Sequence, residues 1–163
     1  MTQNKGGIKI RRMVENDLPR VNEIDRSLFS KGRVTTWPFP INAYLEVYHP
    51  KLRFVAELKG EVVGFLVGII GKEERSRSMF SHTFRAGPLY RGNQVRWIDM
   101  IGIREDCWHR GIGRSLVEAF QNECKRKNAR MRISVRDNDK ELKKFLVGLG
   151  FVRSEIATYR KQL

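Results

Sequence analysis

Two consecutive stretches decide the reading of this chain: Val95-Arg96-Trp97-Ile98-Asp99-Met100-Ile101-Gly102-Ile103, and then Trp108-His109-Arg110-Gly111-Ile112-Gly113-Arg114-Ser115-Leu116-Val117. The first is apolar and rich in β-branched residues, as a buried strand is. The second opens on closely spaced glycines and passes into a helical pattern whose apolar positions are Leu116, Val117, Phe120 and Cys124. Strand, glycine loop and helix in this order make a candidate phosphate loop. The first amides of a helix have no intrahelical acceptor, and the helix dipole is positive there. Gly111 and Gly113 let the backbone approach phosphate oxygens, and Arg110 and Arg114 can add charge-assisted hydrogen bonds. On its own a G-x-G is more often an ordinary tight turn; its place between strand and helix changes the odds. The third glycine of a dinucleotide fingerprint and the glycine-lysine pair of a triphosphate loop are both missing.

Working outward, Ile8, Ile10 and Arg12 alternate with polar neighbours as a first strand, and Asn16 or Asp17 can cap a helix with apolar face Leu18, Val21, Ile24 and Leu28. Phe29 to Phe39 is turn-rich, and a second short helix is predicted over residues 42–48. Arg53 to Leu58 and Val62 to Ile70 read as a hairpin around Lys59-Gly60-Glu61. Gly71 to Asn93 is either a long loop or an extended strand pair. Met131, Ile133 and Val135 alternate as another strand, Asp139 caps a helix bearing Leu142, Phe145, Leu146 and Leu149 that ends at Gly150, and a last strand is predicted near Glu155 to Arg160. This order argues for an α/β (α+β) fold with a mixed sheet and helices on both faces, in one domain spanning residues 1–163.

With 32 Lys and Arg against 18 Asp and Glu, the net charge of +14 draws anions: nucleotides, acidic proteins or RNA. Local clusters stand at Lys125-Arg126-Lys127 and at Arg130, Arg132 and Arg136; a solvated basic face explains them as well as a nucleic-acid site does. Two isolated cysteines, Cys107 and Cys124, suit a reducing, cytoplasmic setting and provide neither a redox pair nor a metal site. The longest apolar run, Val62 to Ile70, is far below the roughly 20 residues that span a bilayer, so no membrane partner is expected.

Ile101-Gly102-Ile103 with Arg110-Gly111-Ile112-Gly113-Arg114-Ser115-Leu116 resembles the acetyl-CoA signature of the GNAT superfamily of N-acetyltransferases, R/Q-x-x-G-x-G/A. Phe145-Leu146-Val147-Gly148-Leu149-Gly150-Phe151 is similar to that family's closing motif, and Ile10-Arg11-Arg12 with Asn16-Asp17-Leu18 to its usual start. The resemblance implies a mostly antiparallel sheet of about six to seven strands, splayed between the fourth and fifth. It further implies acetyl-CoA as cosubstrate without a metal, Ile101, Gly102 and Ile103 beside the pantetheine arm, and His109, Arg110, Gly111, Ile112, Gly113, Arg114 and Ser115 around the pyrophosphate.

Trp108 stands where the family prefers arginine or glutamine, Asp139 where asparagine is common, and Leu146 where many members carry the tyrosine that protonates the departing thiolate. Acylation of an amine still requires a neutral nitrogen and a route for its proton. Asp99 is the candidate, a carboxylate inside an apolar strand, where burial without a partner is costly. It either binds or deprotonates the amine, as the resemblance to aminoglycoside-type members implies, or pairs with an arginine such as Arg96 or faces water. Tyr159 is a substitute acid or a half-buried core tyrosine. His109 and Cys107 lack an identifiable catalytic partner. The expected acceptor is a small amine, an amino acid or a peptide amino terminus, those of ribosomal proteins included, since a basic enzyme is drawn to RNA-rich particles; Trp37, Phe39, Phe80, Phe84 and Tyr90 could shape its pocket or simply pack a core. A homodimer is a further expectation. The rival reading is a noncatalytic module that binds coenzyme A or nucleic acid on the same fold.

Overall fold

Every strand but one in this computed structural model meets its neighbour antiparallel, and the exception lies beside Asp99. The structure describes residues 3–4, 7–30, 41, 46, 48–72, 94–136 and 138–153. Its elements are β1 (Ile8–Arg12), α1 (Leu18–Ser30), β2 (Arg53–Leu58), β3 (Glu61–Lys72), β4 (Gln94–Ile103), α2 (Ile112–Arg126), β5 (Arg130–Ile133) and α3 (Lys140–Val147). The strands lie in chain order, with a two-residue segment, Gln3–Asn4, paired to the outer edge of β1. The pairs β1–β2, β2–β3 and β3–β4 are antiparallel, whereas β4–β5 is parallel, as a connection through α2 requires.

The described residues thus form five strands and a short edge segment, fewer than the six to seven expected. The predicted strand at residues 155–160 and the segment 73–93 lie outside the described residues, as does most of the helix predicted over 42–48. The strand read through Val135 ends instead at Ile133. Its partner β4 carries a bulge: Val67 faces Met100 and Gly68 faces Ile98, leaving Asp99 as the extra residue. A bulge bends its strand and breaks the ladder locally. The parallel pairing runs from Val95–Arg130 to Ile98–Ile133 and stops there, so Asp99 to Ile103 continue without a partner strand on that side among the described residues.

Two apolar layers sandwich the sheet. Leu116, Val117, Phe120 and Cys124 of α2 pack with Ile98, Leu66 and Phe54, and Phe145 of α3 joins them. On the other face Val21 and Ile24 of α1 meet Phe65, Val67 and Met100. Cys107 and Cys124 are buried free thiols, and burial pushes the Cys124 thiol up to about 11, which keeps it protonated and unreactive. Among the described residues no helix is long and apolar enough to cross a membrane.

Asp17 does not cap α1 in the way the sequence suggests. Arg11 takes its carboxylate in a two-pronged grip at 2.7 and 2.8 Å, and the Val14 amide donates to the same group at 2.8 Å. Burial alone would raise the Asp17 pKa; the Arg11 and Val14 hydrogen bonds and the Arg11 charge outweigh it, so the group sits below the ordinary aspartate value. Because the folded pKa is depressed, this stabilisation is present above the unfolded pKa and is lost as pH falls through the folded one. Asp17→Asn is therefore expected to destabilise by about 2 kcal/mol at pH 7. In urea melts the difference from wild type should shrink as the pH is taken toward 3; a pH-independent difference would refute the assignment.

Candidate active site

The loop between β4 and α2 is shaped by its own residues. After Ile103 the chain makes a single 3-10 turn, Glu105–Cys107, and Arg104 is held by Asp106 and Glu61 while touching the Cys107 sulfur. Trp108 then folds back, its indole Nε1 donating to the Ile103 carbonyl at 2.8 Å. The residue that departs from the signature thus pins the loop to the end of the strand. His109 takes a left-handed conformation, φ 58°, and so does Gly111, φ 79°, which is the N-cap of α2. Glycine adopts this conformation without a Cβ penalty and brings no side chain to the helix start. Gly111 has no side chain to cap the α2 N-terminus, and no acidic residue lies in its first turn. The first amides are consequently open to an external anion, with His109, Arg110 and Arg114 exposed around them.

Of the residues assigned to this loop, three are buried: Ile112, Gly113 and Ser115. Ile112 is 1 % exposed and belongs to the core. Ser115 is buried, and its hydroxyl donates to the Gly111 carbonyl at 3.2 Å, bracing the turn. A Cβ at Gly113 would fall 3.0 Å from Phe145 and 3.1 Å from the Ile103 side chain, so this glycine lets α3 and the end of β4 close on the start of α2. Arg114 reaches Gly148 O at 3.3 Å and ties the loop helix to the end of α3.

The main chain of β4 presents an edge to the same place. The Arg104 amide bonds to Val63 O at 2.9 Å, toward β3. Main-chain groups of successive strand residues alternate between the two neighbours, so Gly102 turns toward β3 while Ile101 and Ile103 turn toward the side where β5 has ended. Ile101 thus offers its polar edge at the opening and Ile103 its amide, the Ile103 carbonyl being held by Trp108, whereas Gly102 is buried, and a Cβ there would fall 2.5 Å from Phe65 and 2.9 Å from Leu28.

Asp99 is half-buried at the bulge, and the hydroxyl of the fully buried Tyr48 donates to its Oδ2 at 2.7 Å. Arg96, the partner considered from sequence, binds elsewhere, to the Glu123 carboxylate at 3.5 Å and the Glu123 carbonyl at 3.1 Å. Sequence reading missed Tyr48. It lies 51 positions from Asp99, and nothing local to either residue announces the pairing. Leu146, at the position of the family's usual acid, is 5 % exposed and packs in the core. Asp139 caps α3, its Oδ1 accepting from the Leu142 amide at 2.9 Å. Tyr159 lies outside the described residues, as do Trp37, Phe39, Phe80, Phe84 and Tyr90.

The sequence model of the Acetyltransferase (GNAT) family matches residues 18–151. No curated protein sequence matches the chain. Among solved structures, it is similar to the aminoglycoside acetyltransferase meta-AAC0020 from an uncultured soil metagenomic sample, with TM-score 0.64 and 19 % identity over 96 % of this chain and 97 % of that one. It is similar also to the aminoglycoside N-acetyltransferase AAC(6')-Iy in complex with CoA, with TM-score 0.64 and 17 % identity over 95 % of this chain and 100 % of that one. Arabidopsis thaliana Naa50, in complex with the bisubstrate analogue CoA-Ac-MVNAL, gives TM-score 0.66 and 15 % identity over 91 % of this chain and 85 % of that one.

Proposed function

The chain belongs to the acetyltransferase (GNAT) family and is an acyltransferase, and from that premise we propose that it moves an acetyl group from acetyl-CoA directly to a primary amine. The observation that carries the reading is the state of β4: it loses β5 after Ile98, one residue before Asp99, and the uncapped start of α2 follows the end of the same strand. A carboxylate, a strand edge without a partner strand among the described residues and a row of helix-start amides therefore belong to one continuous piece of chain.

The residues present fit the coenzyme. The amides at Gly111 to Arg114, with His109 and Arg110 beside them, would hold its diphosphate, and the main chain of Ile101 together with the Ile103 amide would bond its amide-bearing arm. When bound, it supplies a thioester carbonyl open to attack by an uncharged amine. Asp99 attracts the acceptor as an ammonium ion, orients the nitrogen and accepts its proton directly or through water. Tyr48 orients the carboxylate through its bond to Oδ2. Leu146 supplies no proton to the departing sulfur; Tyr159 is the candidate for that step, and water at the open edge is the alternative. The acceptor is a small amine or a peptide amino terminus, classes that the names of the similar structures include.

The test is release of free CoA from acetyl-CoA with a panel of aminoglycosides, amino acids and short peptides. Turnover with at least one amine is expected. Calorimetric binding of acetyl-CoA without turnover across the panel would support the noncatalytic alternative, and no heat of binding would remove the coenzyme site altogether.

A further inference from the structure

The Lys125-Arg126-Lys127 cluster has no part in the chemistry above, and it ends α2 at the opposite pole from the phosphate loop. The 15 residues of α2 separate the two by about 21 Å. Arg12 at the end of β1 and Lys51 in the turn before β2 converge on the same place, and with Arg126, Lys127 and Glu123 they line a shallow concavity of about 480 Å³.

Its charge is out of balance. Glu123 is 3 % exposed, and three guanidiniums share its carboxylate: Arg12 at 2.6 Å, Arg96 at 3.5 Å, and Arg126. Their combined fields, with the Arg12 hydrogen bond, overcome burial and hold Glu123 below the ordinary glutamate value, so it stays charged and already paired. One carboxylate cannot satisfy three guanidiniums, and Arg96, 4 % exposed, is left with an Nε that has no hydrogen-bond partner. Lys51 and Lys127 have no carboxylate partner among the described residues. The helix dipole accounts for cations in the last turn of α2. It does not account for Arg12 and Lys51, which arrive from two other elements.

We propose that this concavity is a second binding site, distinct from the active site, for the phosphodiester backbone of a nucleic acid. Guanidinium and ammonium groups side by side match phosphate oxygens. Among the described residues no apolar side chain lines the concavity, and so none there offers the aromatic or aliphatic anchor on which protein partners depend. Lys125 and Arg130 flank it in sequence and are exposed, extending the positive strip beyond the reach of one small anion. The net charge of +14 supplies the long-range attraction, and this site supplies the place of contact.

The experiment is fluorescence-anisotropy titration of the full chain with a 20-nucleotide single-stranded RNA, a duplex DNA of equal length, and phosphatidylserine vesicles, over a salt series. Binding to RNA or DNA is expected, and the comparison of the two names the source of the backbone. Lys51→Gln/Lys127→Gln removes two exposed charges that have no carboxylate partner among the described residues. It should weaken binding about tenfold and flatten the slope of log K against log salt by about 1.5–2. Lys140→Gln/Lys144→Gln removes the same charge from α3 and should leave affinity within about twofold, which separates a site from bulk attraction. Equal losses in the two double variants, binding to vesicles alone, or no binding to either nucleic acid would overturn the proposal. Acetyl transfer to a small amine, followed in parallel, should be the same in all three proteins, so the fate of this site is read independently of the enzyme's.

Discussion

Asp99→Asn is expected to lower kcat by about 10²–10⁴-fold while leaving the fold intact. Asparagine has nearly the same volume, and its carbonyl oxygen can still accept the Tyr48 hydroxyl that now reaches Oδ2 at 2.7 Å. The local packing, the bulge and the melting temperature should therefore persist. What the substitution removes is the negative charge that draws an ammonium ion and the oxygen that takes its proton. The split between kinetic constants distinguishes these tasks. A fall in kcat at constant KM identifies a proton acceptor, whereas a rise in KM at constant kcat identifies a residue that only binds the amine. Tyr48→Phe should be milder, about tenfold, because it loosens the carboxylate without discharging it. Near-normal turnover of Asp99→Asn with every accepted amine would end the assignment, whatever the Tyr48 variant did.

The contrast between Asp99 and Tyr48 marks the boundary of what the sequence discloses. Asp99 is conspicuous because apolar neighbours on both sides make a carboxylate costly there. Its partner is invisible, because Tyr48 reaches it only after β2, β3 and β4 have assembled. The strand-loop-helix unit from Val95 to Cys124 was legible for a local reason: alternation, closely spaced glycines and 3.6-residue periodicity all act within a few residues of one another. The hairpin around Lys59-Gly60 and the Asp139 cap were legible on the same ground. Asp17 misled because two sets of donors compete for its carboxylate. The helix start offers amides, but Arg11, six positions earlier, offers a charged two-pronged partner and prevails. The early end of β5 was hidden in a different way, since it coincides with a bulge whose position depends on how β4 registers against a strand about thirty residues upstream.

That bulge leads to the second large effect, at a residue with no side chain of its own. Gly68→Ala is expected to destabilise the protein by about 1–3 kcal/mol or more, and at this chain length to lower Tm by roughly 5–10 °C. Gly68 faces Ile98 where the register shifts, and a Cβ there would lie 2.5 Å from the Trp97 carbonyl oxygen and closer still to Phe120 Cε2. Neither obstacle can easily yield. The carbonyl is part of the β4 backbone, and Phe120 is fully buried in the layer beneath α2. Relief requires both that Phe120 and α2 lift and that β4 move away from β3, and the second movement would relax the bulge and re-aim Asp99. The variant should consequently lose turnover beyond what its reduced stability explains, even at temperatures where it is fully folded. Gly71→Ala provides the comparison on the same strand. Its nearest obstacles, 2.9 Å away, are atoms of the Trp97 indole, a side chain that is only partly buried and can swing aside. It should cost less stability and leave kcat close to wild type. If thermal melts and acetyl-transfer rates placed Gly68→Ala level with Gly71→Ala, Asp99 would not owe its position to the close approach of these two strands.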